Sequence, residues 1–203
     1  MKTMKHVTEE VTPIRLRING EKVFNKFIAW LFFRMFRREK RLTDYPRLKL
    51  ALLFKAELEN VTDVVPGYDD YEWHFKVKCT SCNEVNNNWV GVNRLDQNEI
   101  PGSRGSANLV MRCKFCKRES SAQFDTSPVT PYTIENSGKF AQMTTIECRG
   151  LEFIDFEPRA TVGTDSGTKF EDIDLTDGDW AEYDEKGGIP VGISEVQAEF
   201  KRV

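Results

Sequence analysis

Residues 71–82 read Tyr71-Glu72-Trp73-His74-Phe75-Lys76-Val77-Lys78-Cys79-Thr80-Ser81-Cys82. The first eight residues alternate between apolar and polar side chains, which is the pattern of an antiparallel β-strand with one buried face. This strand leads directly into Cys79 and Cys82, whose Cys-x-x-Cys spacing is typical of a metal-binding turn. We therefore expect a sheet that carries a metal site at the end of one strand.

Six further segments have the composition of β-strands, and the body of the chain shows no long amphipathic helical pattern. They are residues 49–58, 109–112, 121–124, 142–147, 151–156 and 192–200. The first of these segments also fits a short helix, because its apolar residues do not alternate strictly. The sequence therefore predicts a mainly β fold that is built from antiparallel strands.

Four of the five cysteines form two Cys-x-x-Cys pairs, Cys79 with Cys82 and Cys113 with Cys116, and 30 residues separate the pairs. Two thiolates on one tight turn point at the same ion, and two such turns complete a tetrahedron of sulfur ligands. Zn²⁺ suits these soft ligands, and four of them leave no open position for a substrate. The spacing predicts one structural zinc ion bound by these four residues.

The residues next to the two pairs carry further expectations. Asn83 and Lys117 follow the pairs, at a position that commonly adopts a left-handed backbone conformation. Asn tolerates this conformation better than Lys, so we expect the second turn to be less regular than the first. Five nearby basic residues either offset the negative charge of a zinc ion bound by four thiolates or are solvated surface charges, and both interpretations can hold together. They are Lys78, Arg112, Lys114, Lys117 and Arg118.

Catalytic chemistry finds little support in the sequence. A redox Cys-x-x-Cys usually begins a helix in a βαβ unit, and that pattern is missing. The chain also lacks the paired histidines of a metalloprotease and the Gly-x-Ser-x-Gly turn of a serine hydrolase. We therefore expect a protein that is not an enzyme, with Cys148 as a small buried residue and His74 on the surface.

Two polar segments resemble binding sites only in part. Residues 102–106 are rich in Gly and Ser but lack the Gly-Lys-Ser/Thr ending of a phosphate-binding loop, so we expect a flexible loop there. The acidic segment 171–179 has its glycine in the wrong register for an EF-hand. We expect this acidic segment to form a surface face that is anchored by Trp180 and Tyr183.

The chain combines a basic arm with an acidic body. Residues 1–48 carry 12 of the 29 Lys and Arg residues and 5 of the 32 Asp and Glu residues, so their net charge is +7. The net charge of residues 49–203 is therefore −10. This balance disfavours a zinc-ribbon-like nucleic-acid binder, in which Lys114, Lys117, Arg118 and the arm would contact phosphates. The aromatic content of 11% excludes disorder of the whole chain.

Residues 1–48 have three open interpretations. Their apolar segment 27–33 precedes a basic run, as in a membrane-surface helix or an organellar presequence, but its apolar residues do not keep to one helical face. The third interpretation is an extension that is not native to the protein. The segment is far shorter than the ~18 apolar residues of a membrane span, and we expect it to be poorly ordered or helical.

From about Lys49 to the C-terminus the chain resembles the eukaryotic CXXC-motif-containing zinc-binding protein family. Besides the cysteine pairs, the resemblance rests on Leu58-Glu59-Asn60-Val61-Thr62, Gly105-Ser106-Ala107, Glu147-Cys148-Arg149-Gly150-Leu151-Glu152, Asp155-Phe156-Glu157-Pro158, Asp179-Trp180 and Tyr183-Asp184-Glu185-Lys186. It implies one zinc ion on the four paired cysteines, no enzymatic activity, and a β-rich body of two similar halves, about 49–130 and 131–203. Residues 1–48 lie outside the family pattern.

Taken together, these features predict a non-catalytic zinc protein that acts through contact with a protein partner of unknown identity. We expect it to be a monomer in the cytoplasm, with no membrane span and no nucleic-acid partner. The nucleic-acid binder described above is the first alternative, and a thiol redox or metal-transfer protein that uses the same cysteines is the second.

Overall fold

The computed structural model describes residues 45–66 and 71–203, and the expectations for residues 1–44 lie outside this range. The strands are β1 (Leu48–Glu59), β2 (Thr62–Val65), β3 (Glu72–Cys79), β4 (Val90–Asn93), β5 (Asn98–Glu99), β6 (Ser106–Ala107), β7 (Leu109–Arg112), β8 (Glu119–Phe124), β9 (Ala141–Arg149), β10 (Leu151–Glu157), β11 (Arg159–Gly163), β12 (Lys169–Asp174), β13 (Trp180–Asp184) and β14 (Ile189–Arg202). A 3-10 turn covers Ile134–Asn136. Within the described ranges, no helix has the length and apolarity of a membrane span.

Antiparallel pairing builds one large sheet and three smaller ones. The large sheet has six strands in the order β13-β14-β1-β9-β8-β7. Two three-stranded sheets have the orders β10-β3-β4 and β12-β11-β2, and β5 pairs with β6. The predicted mainly β, antiparallel fold is therefore confirmed.

The segment 49–58 is strand β1, at an inner position of the large sheet between β14 and β9. Leu50, Ala51 and Leu52 are all buried, which means that both faces of this strand are covered here. A strand that is buried on both faces has no polar face to alternate with, and this explains why its sequence also fits a short helix.

The aromatic core lies between the large sheet and the β10-β3-β4 sheet. Trp73 and Phe75 of β3 are buried, as the alternation predicts, and they contact Phe124, Phe153 and Phe156. The ring centroids in these contacts lie between 4.4 and 6.1 Å apart. The other buried members of the aromatic core are Leu50, Leu52, Val77, Val92, Leu109, Ala122, Ile146, Cys148 and Leu151.

A second core joins the large sheet to the β12-β11-β2 sheet. Its centre is the edge-to-face pair of Phe54 and Tyr132, whose ring centroids are 5.1 Å apart. The Tyr132 hydroxyl donates to the carbonyl of Ala56 at 2.9 Å, so the buried oxygen is satisfied. The other buried members are Val61, Val64, Met143, Ala160, Val162, Ile173, Leu175, Val191 and Ile193.

The six-stranded sheet and the two three-stranded sheets each combine strands from both predicted halves of the body. Strand β1 pairs with β9 and β14, β3 pairs with β10, and β2 pairs with β11. A chain cut near residue 130 would therefore divide every one of these sheets. The similarity of the two halves stays a prediction.

The acidic segment is not a uniform surface face. Ile173 and Leu175 within it are buried in the second core. Trp180 packs edge-to-face on Phe170 at 5.2 Å, as expected for an anchor. Tyr183 departs from the expectation for an anchor, because its side chain is 54% exposed.

Asp184 is a buried carboxylate that joins the β11–β12 turn to the β13–β14 turn. It accepts hydrogen bonds from the hydroxyls of Thr164, Ser166 and Thr168 at 2.5 to 2.9 Å, and from two backbone N–H groups of the β13–β14 turn at 3.1 Å. The bond from Ser166, with those from the other donors, holds the pKa of Asp184 well below its usual range despite burial. Because these turns belong to different sheets, the carboxylate links the two.

We expect Asp184→Asn to lower the thermal unfolding midpoint, because an amide cannot accept from all five donors and leaves buried hydroxyls without partners. The pKa of this carboxyl is lower in the folded than in the unfolded protein, where it is about 3.9. The carboxylate therefore stabilises the fold fully above about pH 3.9, and this stabilisation is lost as the pH falls below that value.

Calorimetric melting over a series of pH values measures this effect, and the gap between parent and variant should narrow under acid. Asp177→Asn, an exposed change in the neighbouring turn, is the control. Equal melting of the parent and Asp184→Asn at neutral pH would contradict the linking role.

Candidate metal centre

Two hairpin turns, which we call knuckles, present the four paired cysteines. The first knuckle follows β3, where the N–H of Asn83 donates to the carbonyl of Cys79 and the N–H of Cys79 donates to the carbonyl of Glu84, both at 2.9 Å. The second knuckle follows β7 and repeats both bonds through Lys117 and Cys113, at 3.0 and 2.8 Å. The two backbones are therefore alike.

The expectation of a less regular second knuckle is wrong. Asn83 and Lys117 have nearly the same left-handed φ, 60° and 61° respectively. The paired hairpin bonds impose this conformation, which costs a non-glycine residue roughly 1 kcal/mol. The ammonium group of Lys117 also donates to the carbonyl of Lys114 at 2.6 Å, which ties its side chain across the turn.

The four sulfur atoms converge on one point. All four lie within 4.8 Å of one another, and the Sγ distances from Cys79 to Cys116 and from Cys82 to Cys113 are both 3.7 Å. Metal–sulfur bonds of ~2.3 Å in a tetrahedron place sulfur atoms about 3.8 Å apart, whereas a disulfide requires ~2.05 Å. The spacing fits a tetrahedral zinc ion and excludes disulfides within the cluster.

The turn between β9 and β10 connects the first knuckle to the strand that follows the second knuckle. The carbonyl of Gly150 accepts a hydrogen bond from the N–H of Thr80 in the first knuckle and from the hydroxyl of Ser120 in β8, both at 3.1 Å. Gly150 has φ +75°, and a Cβ there would lie 3.0 Å from the Ser120 oxygen. The motif around Cys148 marks this segment in the sequence, but no local pattern there predicts the contact.

The basic residues do not surround the sulfur atoms evenly. Lys78 forms an ion pair with Glu152 of β10 at 2.9 Å, and its role in offsetting the charge of a bound metal stays a prediction. The other four basic residues are exposed: Arg112 ends β7, and Lys114, Lys117 and Arg118 lie on the second knuckle. Positive charge near the centre is therefore concentrated on one side.

Ionisation of the thiols is interdependent. Burial opposes ionisation of Cys113, but the N–H groups of Cys116 and Phe115 and the neighbouring thiols lower its pKa to about 7. At Cys82 the N–H of Glu84 favours the thiolate, yet burial and the other three cysteines raise the pKa to about 12. The first thiolate that forms disfavours the next, so a metal ion that binds all four sulfurs must displace protons.

The remaining candidates lie outside the cluster. Cys148 is fully buried in the aromatic core, and burial raises its pKa to about 12, which agrees with a small buried residue. The ring of His74 is one third exposed, and its Nδ1 lies 3.6 Å from Glu157. Residues 102–106 are exposed and comprise the end of the turn between β5 and β6 and the first residue of β6.

Comparison with known proteins gives a consistent result. The model of a family described as CXXC motif containing zinc binding protein, eukaryotic, matches residues 51–201. The human CXXC motif containing zinc binding protein is 43% identical over 155 residues, which cover 75% of this chain and 97% of the human one. The Xenopus laevis protein of the same name is 43% identical over 158 residues, with 76% and 99% covered.

Two solved structures share the fold. The crystal structure of C1orf123 matches with a TM-score of 0.71 and 40% identity, over 76% of this chain and 99% of that one. A hypothetical protein from Plasmodium falciparum matches with a TM-score of 0.68 and 29% identity, over 75% and 99%. The described body of this chain is thus similar to proteins along nearly their whole length.

We expect Cys113→Ser to abolish stoichiometric zinc binding and Cys148→Ser to retain it. A serine hydroxyl does not replace a thiolate ligand, whereas Cys148 lies in the core and not among the clustered sulfurs. Native mass spectrometry of both variants counts the bound metal. Full zinc occupancy in Cys113→Ser would contradict the assignment, as would zinc loss in a folded Cys148→Ser protein.

Zinc affinity should rise with pH. The raised pKa values of Cys82 and Cys116 mean that both thiols hold protons near neutrality, so binding should release about two protons or more. Competition with a chromophoric chelator over a pH series measures the slope of affinity against pH. The Cys148→Ser variant should give the same slope, and an affinity that does not change with pH would contradict this account.

Proposed function

The chain belongs to the family of eukaryotic CXXC-motif-containing zinc-binding proteins, and on that premise we propose that Cys79, Cys82, Cys113 and Cys116 hold one structural zinc ion. The observation that carries this proposal is the 3.7 Å separation of sulfur atoms across the two knuckles. Four thiolates would complete the tetrahedral shell, so the ion would join protein segments and offer no position to a substrate.

A bound zinc ion would join the ends of two different sheets. The first knuckle extends from β3 in the three-stranded sheet, and the second extends from β7 at the edge of the six-stranded sheet. Cys82 and Cys116 are only partly buried, so apolar packing contributes little at the tips of the knuckles. A metal ion would supply the stabilisation that these exposed turns lack.

We further propose that the protein acts without catalysis, as a monomer in the cytoplasm, by contact with another protein. A closed sulfur shell supports the absence of catalysis, since zinc enzymes keep one ligand position open. Free cysteines support a reducing compartment, where thiols persist as metal ligands. The net charge of −10 on residues 49–203 disfavours nucleic acid as the partner.

Removal of zinc by a chelator tests the structural role. We expect the melting temperature to fall and amide hydrogen exchange to accelerate in residues 79–84 and 113–118. The strands of the two cores should keep their protection, because their packing does not involve the metal. Readdition of zinc should reverse both changes, and native mass spectrometry should count one ion and one chain.

Two results would contradict this function. The first is the absence of stoichiometric zinc, and the second is zinc removal that changes neither melting nor exchange. Rapid exchange of bound zinc with isotopically labelled zinc would instead favour the metal-transfer alternative. Cys148→Ser is the control for thiol chemistry, because the change leaves all four clustered sulfurs in place.

A further inference from the structure

A groove of about 350 Å³ opens beside the two knuckles. One wall follows the first knuckle and includes Val85, and the other includes Met111 and Phe115. Val77 and Leu151 of the aromatic core line it as well, so the groove is an open end of that core. Its volume falls within the range of about 300 to 1,000 Å³ that is usual for ligand pockets.

Phe115 is the most exposed apolar side chain of the groove. Its side chain is 71% exposed, although it lies between two of the clustered cysteines. Val85 on the opposite wall is also exposed, at 39%. Large apolar side chains on both walls of a groove can bury an apolar anchor from a partner, and such anchors dominate the free energy of binding at many interfaces.

Lys114 of the second knuckle lines the groove, and three further basic residues lie two to four positions from it in the chain; we call these four residues the basic rim. Arg112, Lys114, Lys117 and Arg118 are exposed, and none of them forms an ion pair with any residue in 45–66 or 71–203. Lys78 of the first sheet differs from them, because its charge is balanced by Glu152 of β10 at 2.9 Å. Unpaired cations beside an apolar groove favour a partner with carboxylates near its apolar anchor.

We propose that this groove, which we call the knuckle groove, is the docking site for an acidic segment of a partner protein. A large apolar side chain of the segment would lie against Phe115, Met111 and Leu151, while its carboxylates face the basic rim. The proposal rests on the proposed function, since it identifies the surface through which the protein contacts its partner. It also specifies the chemistry of that partner.

Nucleic acid fits the knuckle groove less well than an acidic peptide does. The walls are mostly apolar, and Glu84 on the first knuckle places a carboxylate in the lining. A nucleic acid carries a phosphate at every nucleotide, so it could not avoid this carboxylate or the negative charge of the rest of the body. A peptide can place its apolar anchor in the groove and confine its carboxylates to the basic side.

Docking should depend on zinc, because both walls of the groove end in a knuckle. Cys79 of the first knuckle and Cys113 of the second both line the groove. An ion that joins the two sulfurs sets the distance between the walls, so loss of the ion should weaken binding of the segment. Binding to other exposed apolar side chains of the body should not require zinc, so zinc dependence identifies binding at the knuckle groove.

Selection of random peptides displayed on phage against the zinc-loaded full chain tests the proposal. We expect the enriched peptides to combine Asp and Glu with at least one large apolar residue. Synthetic copies of these peptides, measured by fluorescence anisotropy, should bind Phe115→Ser at least about 10-fold more weakly than the parent. Lys114→Glu should also weaken binding, and the loss should be greatest at low salt.

Matched controls come from elsewhere on the surface. Phe140→Ser removes another exposed phenylalanine, and Lys169→Glu reverses another exposed lysine, so both should bind the peptides as the parent does. Phe115→Ser should keep its zinc, because the contact of residue 115 with the Cys113 thiol is made by its backbone N–H. Zinc content and melting temperature, measured for every variant, verify that each one is folded.

The outcomes distinguish this inference from the function beneath it. If the parent binds no zinc, the structural-zinc function fails. If zinc is bound but no acidic apolar peptide is enriched, or the enriched peptides bind Phe115→Ser as tightly as the parent, the knuckle groove is not the docking site. Tighter binding of a poly-uridine RNA that Phe115→Ser and Lys114→Glu weaken would also overturn the proposal, in favour of nucleic acid.

Discussion

The packing of Trp73 and Phe75 against the six-stranded sheet determines where the two knuckles meet. The first knuckle extends from β3, which carries both aromatic residues, and the second extends from β7 in the opposite sheet. Both rings are almost fully buried and contact Phe124 of β8, the direct neighbour of β7. Because this contact sets the separation of the two sheets, it also sets the distance between the cysteine pairs.

Hydrogen bonds add to the aromatic packing in fixing the positions of the two knuckles. The carbonyl of Gly150 accepts from one knuckle and from the strand that follows the other, so the β9–β10 turn is held against both. The pairing of Leu151 with Cys79 continues this support into the sheet. Asp184 has a similar role elsewhere in the fold, because its carboxylate joins the β11–β12 turn to the β13–β14 turn. Each case satisfies a buried polar group and connects two parts of the fold at once.

The asymmetry of charge around the metal centre follows from the same architecture. Lys78 lies on a strand beside β10, where Glu152 pairs with it, so its charge is neutralised within the sheet. The basic residues of the second knuckle lie beyond the end of β7, which is an edge strand, and no carboxylate of the described chain pairs with them. One knuckle is therefore embedded in a neutralised sheet, while the other presents positive charge and an aromatic ring to solvent.

Local patterns in the sequence by themselves determined the β class, the alternation of β3 and the pairing of the cysteines, because each depends on residues only a few positions apart. The same local reasoning misjudged the second knuckle and Tyr183, and it did not find the contacts of Gly150 or Asp184. Those features depend on partners far away in the chain: the hydroxyls that bind Asp184 lie 16 to 20 residues from it, and Ser120 lies 30 residues from Gly150. Only the tertiary structure decided which strands became neighbours, since packing of buried side chains selects one arrangement among many that the local patterns allow.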